Sequence, residues 1–379
     1  MADTLSQKFE SHFLKLNDHR INRKKLYPIM EILFVVLCGS ICGAESWRDF
    51  VLFGQEKIDF LRLHFAFKNG IPSKDTIARL FYTLDPETFK ICFIEWVKSL
   101  QSSILGDVVA IDGKALCNSI DELNNVPAIH MVSAFSTATR LVLAQQKVDD
   151  KSNEITAIPL LLNMLNLKGT TVTIDAMGCQ KAIAEKIIEK EADYVLALKG
   201  NQGSLNDSVR LYLEAEAAKK TGSVIEDIYE DVDKGHGRLE TRKCIVTSAV
   251  DWLDQKPEWP GLKTIAMIEE TREIKGKTSI ERRFFISSLP ANAEQIASTV
   301  RAHWLIENAL HWTLDVVFNE DYSRVRNKNA GQNMAIVRHI TYNMLENGKK
   351  HYKNIGIKKL RKKAGWGNSA LDLILRQNF

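Results

Sequence analysis

The chain has 379 residues, 45% of them hydrophobic and 26% charged, and a formal net charge of +4. That length admits two domains or one core carrying a large insertion, and the composition excludes a chain dominated by disorder. Six cysteines (38, 42, 92, 117, 179 and 244) form no Cys-x2-Cys pair, so neither a zinc knuckle nor a disulfide framework is expected, and they read as reduced thiols of a cytoplasmic protein.

Residues 1–100 read as helical, with amphipathic segments near 4–17, 29–44, 47–67 and 85–100. The run 32–44, ILFVVLCGSICGA, spans 13 residues well inside the chain. It is too short to cross a bilayer and predicts a buried helix, with no membrane partner. From Gly70 to Phe81 a Gly-Pro turn leads through Ser73, a natural N-cap, into a helix opened by Lys74, Asp75 and Arg79. This is either the second helix of a helix-turn-helix or an ordinary packed helix.

Next comes DVVAIDGK. Val108, Val109, Ala110 and Ile111 predict a buried strand that delivers Asp112 to its carboxyl edge, followed at once by Gly113 and Lys114. The pattern recurs 63 residues later, where Val172, Thr173 and Ile174 lead into Asp175. A single strand-end aspartate can simply cap the following turn, but two of them favour a shared chemical site. Between them, 128–137 and 140–148 read as a hairpin, and 152–166 reads as a helix with Ile155, Ile158, Leu161, Leu162 and Leu165 on one face. A helix over 180–191, a strand over 193–198, and Lys199-Gly200-Asn201-Gln202 opening a third helix complete the order β-β-β-α-β-α-β-α. That order, with acids ending strands one and four, is the layout of the ribonuclease H-like fold, a mixed five-stranded α/β sheet in which those two strands are neighbours. Two ionised carboxylates placed side by side repel unless a cation neutralises them, and oxygen donors without thiols favour Mg2+, with Mn2+ able to substitute.

From 222 to 290 the pattern becomes alternating, with strands near 244–247, 263–270 and 279–287, a β-rich insertion. At its start, GHGRLETR places Arg238, Glu240 and Arg242 on one face of a strand beside His236. This is either a solvated face with an internal ion pair or a phosphate-contacting ribbon. The third acid is expected on a helix over 292–319, where Glu307 borders the apolar stripe of Ile306, Leu310, Leu314 and Val317. His303 and His311 lie one turn to either side. A helical zinc site is conceivable from that spacing, but two aspartates converging from the sheet make an oxygen-ligand site better supported. The histidines then either bond a substrate phosphate, orient the acid, or pack at the helix edge. From 321 to 363, twelve Lys and Arg stand against Asp321 and Glu346, a local balance of +10. Such a block is a solvated surface or the footprint of a polyanion, of which a phosphate backbone is the commonest.

AIDGK (110–114), AIHMVSAFST (128–137), KSNEITAIPLLL (151–162), TIDAMGCQKAIAEKI (173–187), ALKGNQG (197–203), GHGRLETR (235–242) and HWLIENALHWTLDVVFNED (303–321) together resemble the insertion-sequence DDE transposases. The likeness is closest to the bacterial group of H-repeat-associated proteins. It implies a catalytic, metal-holding triad of Asp112, Asp175 and Glu307 on a ribonuclease H-like core interrupted by the β-insertion. The Tyr-x2-Arg-x3-Glu-x6-Lys signature of hairpin-forming relatives is absent apart from Glu307, because Val300, His303 and Leu314 stand at its other positions. Arg301 and His311 are the candidates to act in their stead.

The resemblance implies two-metal cleavage at the element's ends, freeing a 3′-hydroxyl that then attacks target DNA. The partners implied are double-stranded DNA, as terminal inverted repeats and target, and a second copy of the chain on paired ends. The setting implied is bacterial cytoplasm, on DNA. DNA-backbone contacts are expected from Lys114, Asn201, His236, Arg238, Arg242, Arg301, His303, His311, Arg324, Arg326 and Lys328. The expected organisation is an all-helical domain at 1–100, core at 101–221 and 291–348 around the insertion at 222–290, and a basic tail at 349–379. The rival readings are a catalytically inactive transposase-derived DNA binder and a metal-dependent DNA nuclease.

Overall fold

The computed structural model describes residues 4–20, 25–100, 104–120, 127–149, 152–219, 221–235 and 238–379. The helices are α1 (Leu5–Phe13), α2 (Ile29–Cys42), α3 (Trp47–Glu56), α4 (Ile58–Leu61), α5 (Lys74–Thr83), α6 (Pro86–Leu100), α7 (Glu154–Asn163), α8 (Lys181–Glu189), α9 (Gly203–Ala218), α10 (Ala293–Leu305), α11 (Trp312–Val316), α12 (Lys328–Lys349), α13 (Ile357–Trp366) and α14 (Asn368–Arg376). The strands are β1 (Val108–Leu116), β2 (Ile129–Ser136), β3 (Val142–Lys147), β4 (Thr171–Ile174), β5 (Asp193–Leu198), β6 (Asp227–Gly235), β7 (Arg238–Thr247), β8 (Thr264–Ile274) and β9 (Lys277–Ser287).

The expectation of a five-stranded sheet is corrected. The described strands form one mixed sheet of nine, ordered β3-β2-β1-β4-β5-β9-β8-β7-β6. The insertion supplies four strands, β6 to β9, and it joins the sheet because β9 pairs antiparallel with β5, Val195 opposite Ser287. A free edge on β5 would leave a row of unpaired N–H and C=O groups, which β9 satisfies. β1 and β4 are parallel neighbours, and so are β4 and β5, with the remaining pairs antiparallel.

Two helical layers cover this sheet. Thr173 meets His303 of α10, whereas the next residue, Ile174, meets Ile158 of α7 beside Gly178. Successive strand residues point to opposite faces, so α10 and α7 lie on opposite sides of β4. The helix expected over 292–319 is in three parts, because residues Ile306–His311 form a π-helical turn between α10 and α11. Such a turn widens the helix by one residue and recurs at functional sites.

Around α12 burial goes all the way round. Residues 330–345 are continuously buried, which makes α12 the hub on which α2, α5, α6, α13 and α14 pack. Its polar residues are consumed inside: Asn333 Nδ2 donates to the carbonyls of Phe81 and Leu84, and the Asn343 amide pairs with both backbone groups of Val142 on edge strand β3. Residues 357–376, within the expected basic tail, form α13 and α14, and Phe379 packs on Phe9 and Trp96. Arg338 and Arg361 of the basic block are buried, Arg338 against Glu320 at 3.2 Å and Arg361 on the carbonyl of Ser40. Among the described residues no single helix is long and apolar enough to cross a membrane. The run 32–44 falls in α2 and the residues after it; α2 is buried from Glu31 to Ile41 and ends at Gly43, whose φ of 104° lies in the left-handed region.

Candidate active site

The expectation that Asp112 lies at the end of its strand is corrected: β1 continues to Leu116 and runs past the end of β4, because residues 112–116 stay paired with β2. Ile111 pairs with Ile174 in parallel register, and beyond that point residues 112–116 keep β2 on one side but lose β4 on the other. A notch opens there, and Asp112 and Asp175, the next residue of each chain segment, stand at its two sides. Strands paired in register lie about 4.8 Å apart, so the two carboxylates are neighbours by construction. Asp175 also does what the turn-cap reading requires: its Oδ1 accepts from the N–H groups of Met177 and Gly178 at 3.1 and 3.2 Å. Glu307 lies in the π-helical turn, exposed, and its charge bears on Asp112.

Burial is the largest influence on Asp112 and, with repulsion from Asp175, Glu154 and Glu307, pushes its carboxyl up to about 7. Asp175 is raised for the same first reason, opposed by the Gly178 N–H and reinforced by Glu154. Both histidines are driven the other way. Burial lowers His303 to about 4, with its Nδ1 3.0 Å from Thr173 Oγ1. Burial, then Lys114 and His303, lowers His311 to about 4, with its Nδ1 3.5 Å from Asp112 Oδ2. Burial thus disfavours the charged form of both rings; His303 is tied to β4 through Thr173, and His311 stands beside Asp112.

Glu154, the first residue of α7, carries no local sequence signal and was missed by pattern reading. It is 9% exposed, accepts from His130 Nε2 at 2.8 Å, and lies over the strand at Gly113. The pairing holds His130 above the usual imidazole range. The one available clue was the glycine directly after Asp112.

The expected DNA contacts divide. Lys114 is engaged within the protein: only 12% of its side chain is exposed, and it is paired with Asp315 at 2.6 Å, Asp321 at 3.1 Å and Glu320 at 3.8 Å. Asn201 is also engaged, its Nδ2 donating to the carbonyl of Ala176 at 2.6 Å, which braces the loop carrying Asp175. Arg238 and Arg242 both pair with buried Glu240, and Arg242 also with Glu270 at 3.2 Å, so the expected internal ion pair is present on that ribbon. Arg301 pairs with Asp231 at 3.3 Å. These arginines line a cavity of about 530 Å³ that also takes in Trp304 and Asn308, so it adjoins Glu307 along the helix. Arg324 and Arg326 are exposed in the segment before α12, away from that cavity. Lys328 opens α12; its side chain and His236 lie outside what is described.

Among the described residues no three His, Cys, Asp or Glu side chains stand close enough together to hold an ion as they are placed. The donor chemistry nonetheless fits a hard divalent cation: carboxylates alone, with Asp112 and Asp175 raised first by burial and then by neighbouring carboxylates, and the nearby Cys179 thiol buried and pushed up to about 12.

Residues 106–344 match the family described as Transposase DDE domain, and residues 10–97 match the DDE_Tnp_1-associated family. The "H repeat-associated putative transposase YhhI" of Escherichia coli K12 is 42% identical over 97% of this chain and 98% of its own. The "Putative transposase YncI" of Escherichia coli O157:H7 is 41% identical over 94% and 92%. A shorter relative, "Inactive transposase YbfQ" of strain K12, is 39% identical over 20% of this chain and 88% of its own. With more than half its length matched by the domain and nearly all of it aligned to such relatives, this chain belongs to the DDE transposase family, whose members act on DNA and generally use divalent metals.

Proposed function

We propose that this chain cuts the ends of an insertion element and joins them to target DNA, with Asp112, Asp175 and Glu307 as its catalytic carboxylates. The observation that carries the reading is register: pairing of Ile111 with Ile174 sets the two aspartates side by side at the notch where β4 stops. The strand order β3-β2-β1-β4-β5, with β1 and β4 parallel, supports a ribonuclease H-like core, and β6 to β9 stand as the insertion before the glutamate-bearing helix. The three carboxylates would hold divalent cations, Mg2+ or Mn2+, which when bound supply charge neutralisation at the phosphate and a more acidic attacking hydroxyl.

The chain's own groups bind and orient. Asp175 is aimed by two backbone N–H groups, and Asp112 lies beside the neutral imidazole of His311. His303 ties α10 to β4 through Thr173, which fixes the helix that leads into Glu307. In the first reaction the oxygen of water bonds to phosphorus, the P–O3′ bond breaks and a 3′-hydroxyl is released. In the second that 3′ oxygen bonds to a target phosphorus and the target's own 3′ oxygen leaves. No side chain becomes covalent. The cavity between β7, β8 and α10, the exposed helix opening at Lys74 and Arg79, and Arg324 and Arg326 are the surfaces assigned to DNA, with two copies of the chain on paired ends.

The test is to incubate the purified chain and Mg2+ with labelled DNA from both flanks of its gene and a supercoiled target plasmid. Joined flank–plasmid product is expected. Cut flanks without joining would leave only a nuclease, and binding without cutting would leave an inactive binder.

A further inference from the structure

We propose that Glu154 is a fourth carboxylate of the catalytic centre, held by His130 and serving the same divalent cation site as Asp112 and Asp175; this rests on the metal-dependent reading above. The argument starts from Gly113. A β-carbon built on it would stand 2.0 Å from Glu154 Oε1 and 2.8 Å from His130 Nε2. The carboxylate therefore lies directly against the backbone of the residue that follows Asp112, in space that any other residue would fill. Gly113, Ala115 and His130 share one face of β1 and β2, since Ala115 is opposite His130 in the antiparallel register. That face is the α7 side, opposite to the one from which His311 and Lys114 approach Asp112 and α11. The notch beyond β4 is where groups from the two faces can meet, and Gly113 keeps it open.

The placement brings a third negative charge to the notch. Glu154 is buried to 9% exposure at the first turn of α7, behind the N-cap Asn153, whose Oδ1 accepts from Ile155 N–H at 3.1 Å. The helix terminus favours an anion there. Its negative charge nevertheless bears on both Asp112 and Asp175. Carboxylates whose charges bear on one another round one notch are the donor set that a hard divalent cation neutralises. His130 is the positioning residue: its Nε2 fixes one carboxylate oxygen at 2.8 Å.

The experiment is Mn2+ binding to the full chain without DNA, read as the loss of the free-ion paramagnetic resonance signal, for wild type, Glu154→Gln, His130→Ala and Asp112→Asn. Glu154→Gln is expected to weaken Mn2+ binding about 10-fold or more, and His130→Ala by a smaller factor, as groups supporting a metal site do. Wild-type affinity in Glu154→Gln, with affinity lost in Asp112→Asn, overturns the proposal and leaves the three-carboxylate reading intact. Undiminished binding in Asp112→Asn removes the metal site at these residues and the proposal with it. Should Glu154→Gln not fold in chelator, His130→Ala decides: unchanged affinity there overturns the role of the pair.

Discussion

Asp112 is a residue the fold holds at a loss. Its carboxyl is pushed up to about 7 from its ordinary 3.8, first by burial and then by Asp175, Glu154 and Glu307. A group whose folded pKa lies above its unfolded one binds a proton more tightly when folded, so its contribution is fully present below pH 3.8 and is lost as pH rises to about 7. The window spans about three pH units at 1.36 kcal/mol each, which puts the penalty of ionised Asp112 at roughly 4 kcal/mol as an upper limit. Asp112→Asn keeps the shape and removes the charge. In chelator at pH 8 the variant should be more stable than wild type by up to that amount, and the gap should shrink as the pH is brought down to 4. Urea denaturation followed by tryptophan fluorescence at the two pH values measures it. Saturating Mg2+ should raise the wild-type midpoint and leave the variant's nearly unmoved. An Asn variant no more stable than wild type at pH 8, or equally more stable at both pH values, would refute the reasoning that these acids crowd one buried notch.

Three further outcomes follow from the same geometry. Gly113→Ala places a carbon where Glu154 and His130 already stand, and should destabilise by about 1–3 kcal/mol, seen as a lowered denaturation midpoint, while also abolishing DNA cutting. Lys114→Met leaves Asp315, Glu320 and Asp321 without their shared cation. It should destabilise by roughly 1–4 kcal/mol, between the worth of surface and buried pairs, yet leave the salt dependence of DNA binding unchanged. Arg324→Ala with Arg326→Ala should do the reverse: an unchanged midpoint and a salt slope of DNA binding reduced by about 2, one per lost phosphate contact, measured by fluorescence anisotropy across ionic strength.

The two aspartates were legible because each signal is local, a short β-branched run ending in an acid, and the β-β-β-α-β order then dictates that their strands adjoin. Glu307 was placed from its apolar stripe, which survives the π turn because Ile306, Leu310 and Leu314 stay buried at four-residue spacing. The turn itself left no trace in that pattern. What local pattern could not reach is pairing across long sequence separations. Lys114 reads as a free cation beside a catalytic acid until the chain brings Asp321 to it from 207 residues away. Arg338 and Arg361 count toward the basic block in the sequence but are spent on Glu320 and on the carbonyl of Ser40. The insertion read as strands, but nothing within it announces that β9 will seek the open edge of β5. Glu154 is the sharpest case, since its meaning lies in a void at Gly113 and a ring on another strand.

The central claim is that three carboxylates from β1, the end of β4 and the π-helical turn act as one cation-dependent cutting centre. Its most direct test is Mg2+-dependent cleavage of labelled DNA from the gene's flanks by wild type, Asp112→Asn, Asp175→Asn and Glu307→Gln, with binding measured alongside. The account predicts that each substitution lowers cutting by about 100-fold or more, the scale of losing one preorganised catalytic group, while binding to the same DNA persists. Normal cutting by Glu307→Gln would contradict it by removing the third acid from the centre, and cutting that survives in either aspartate variant would contradict it outright.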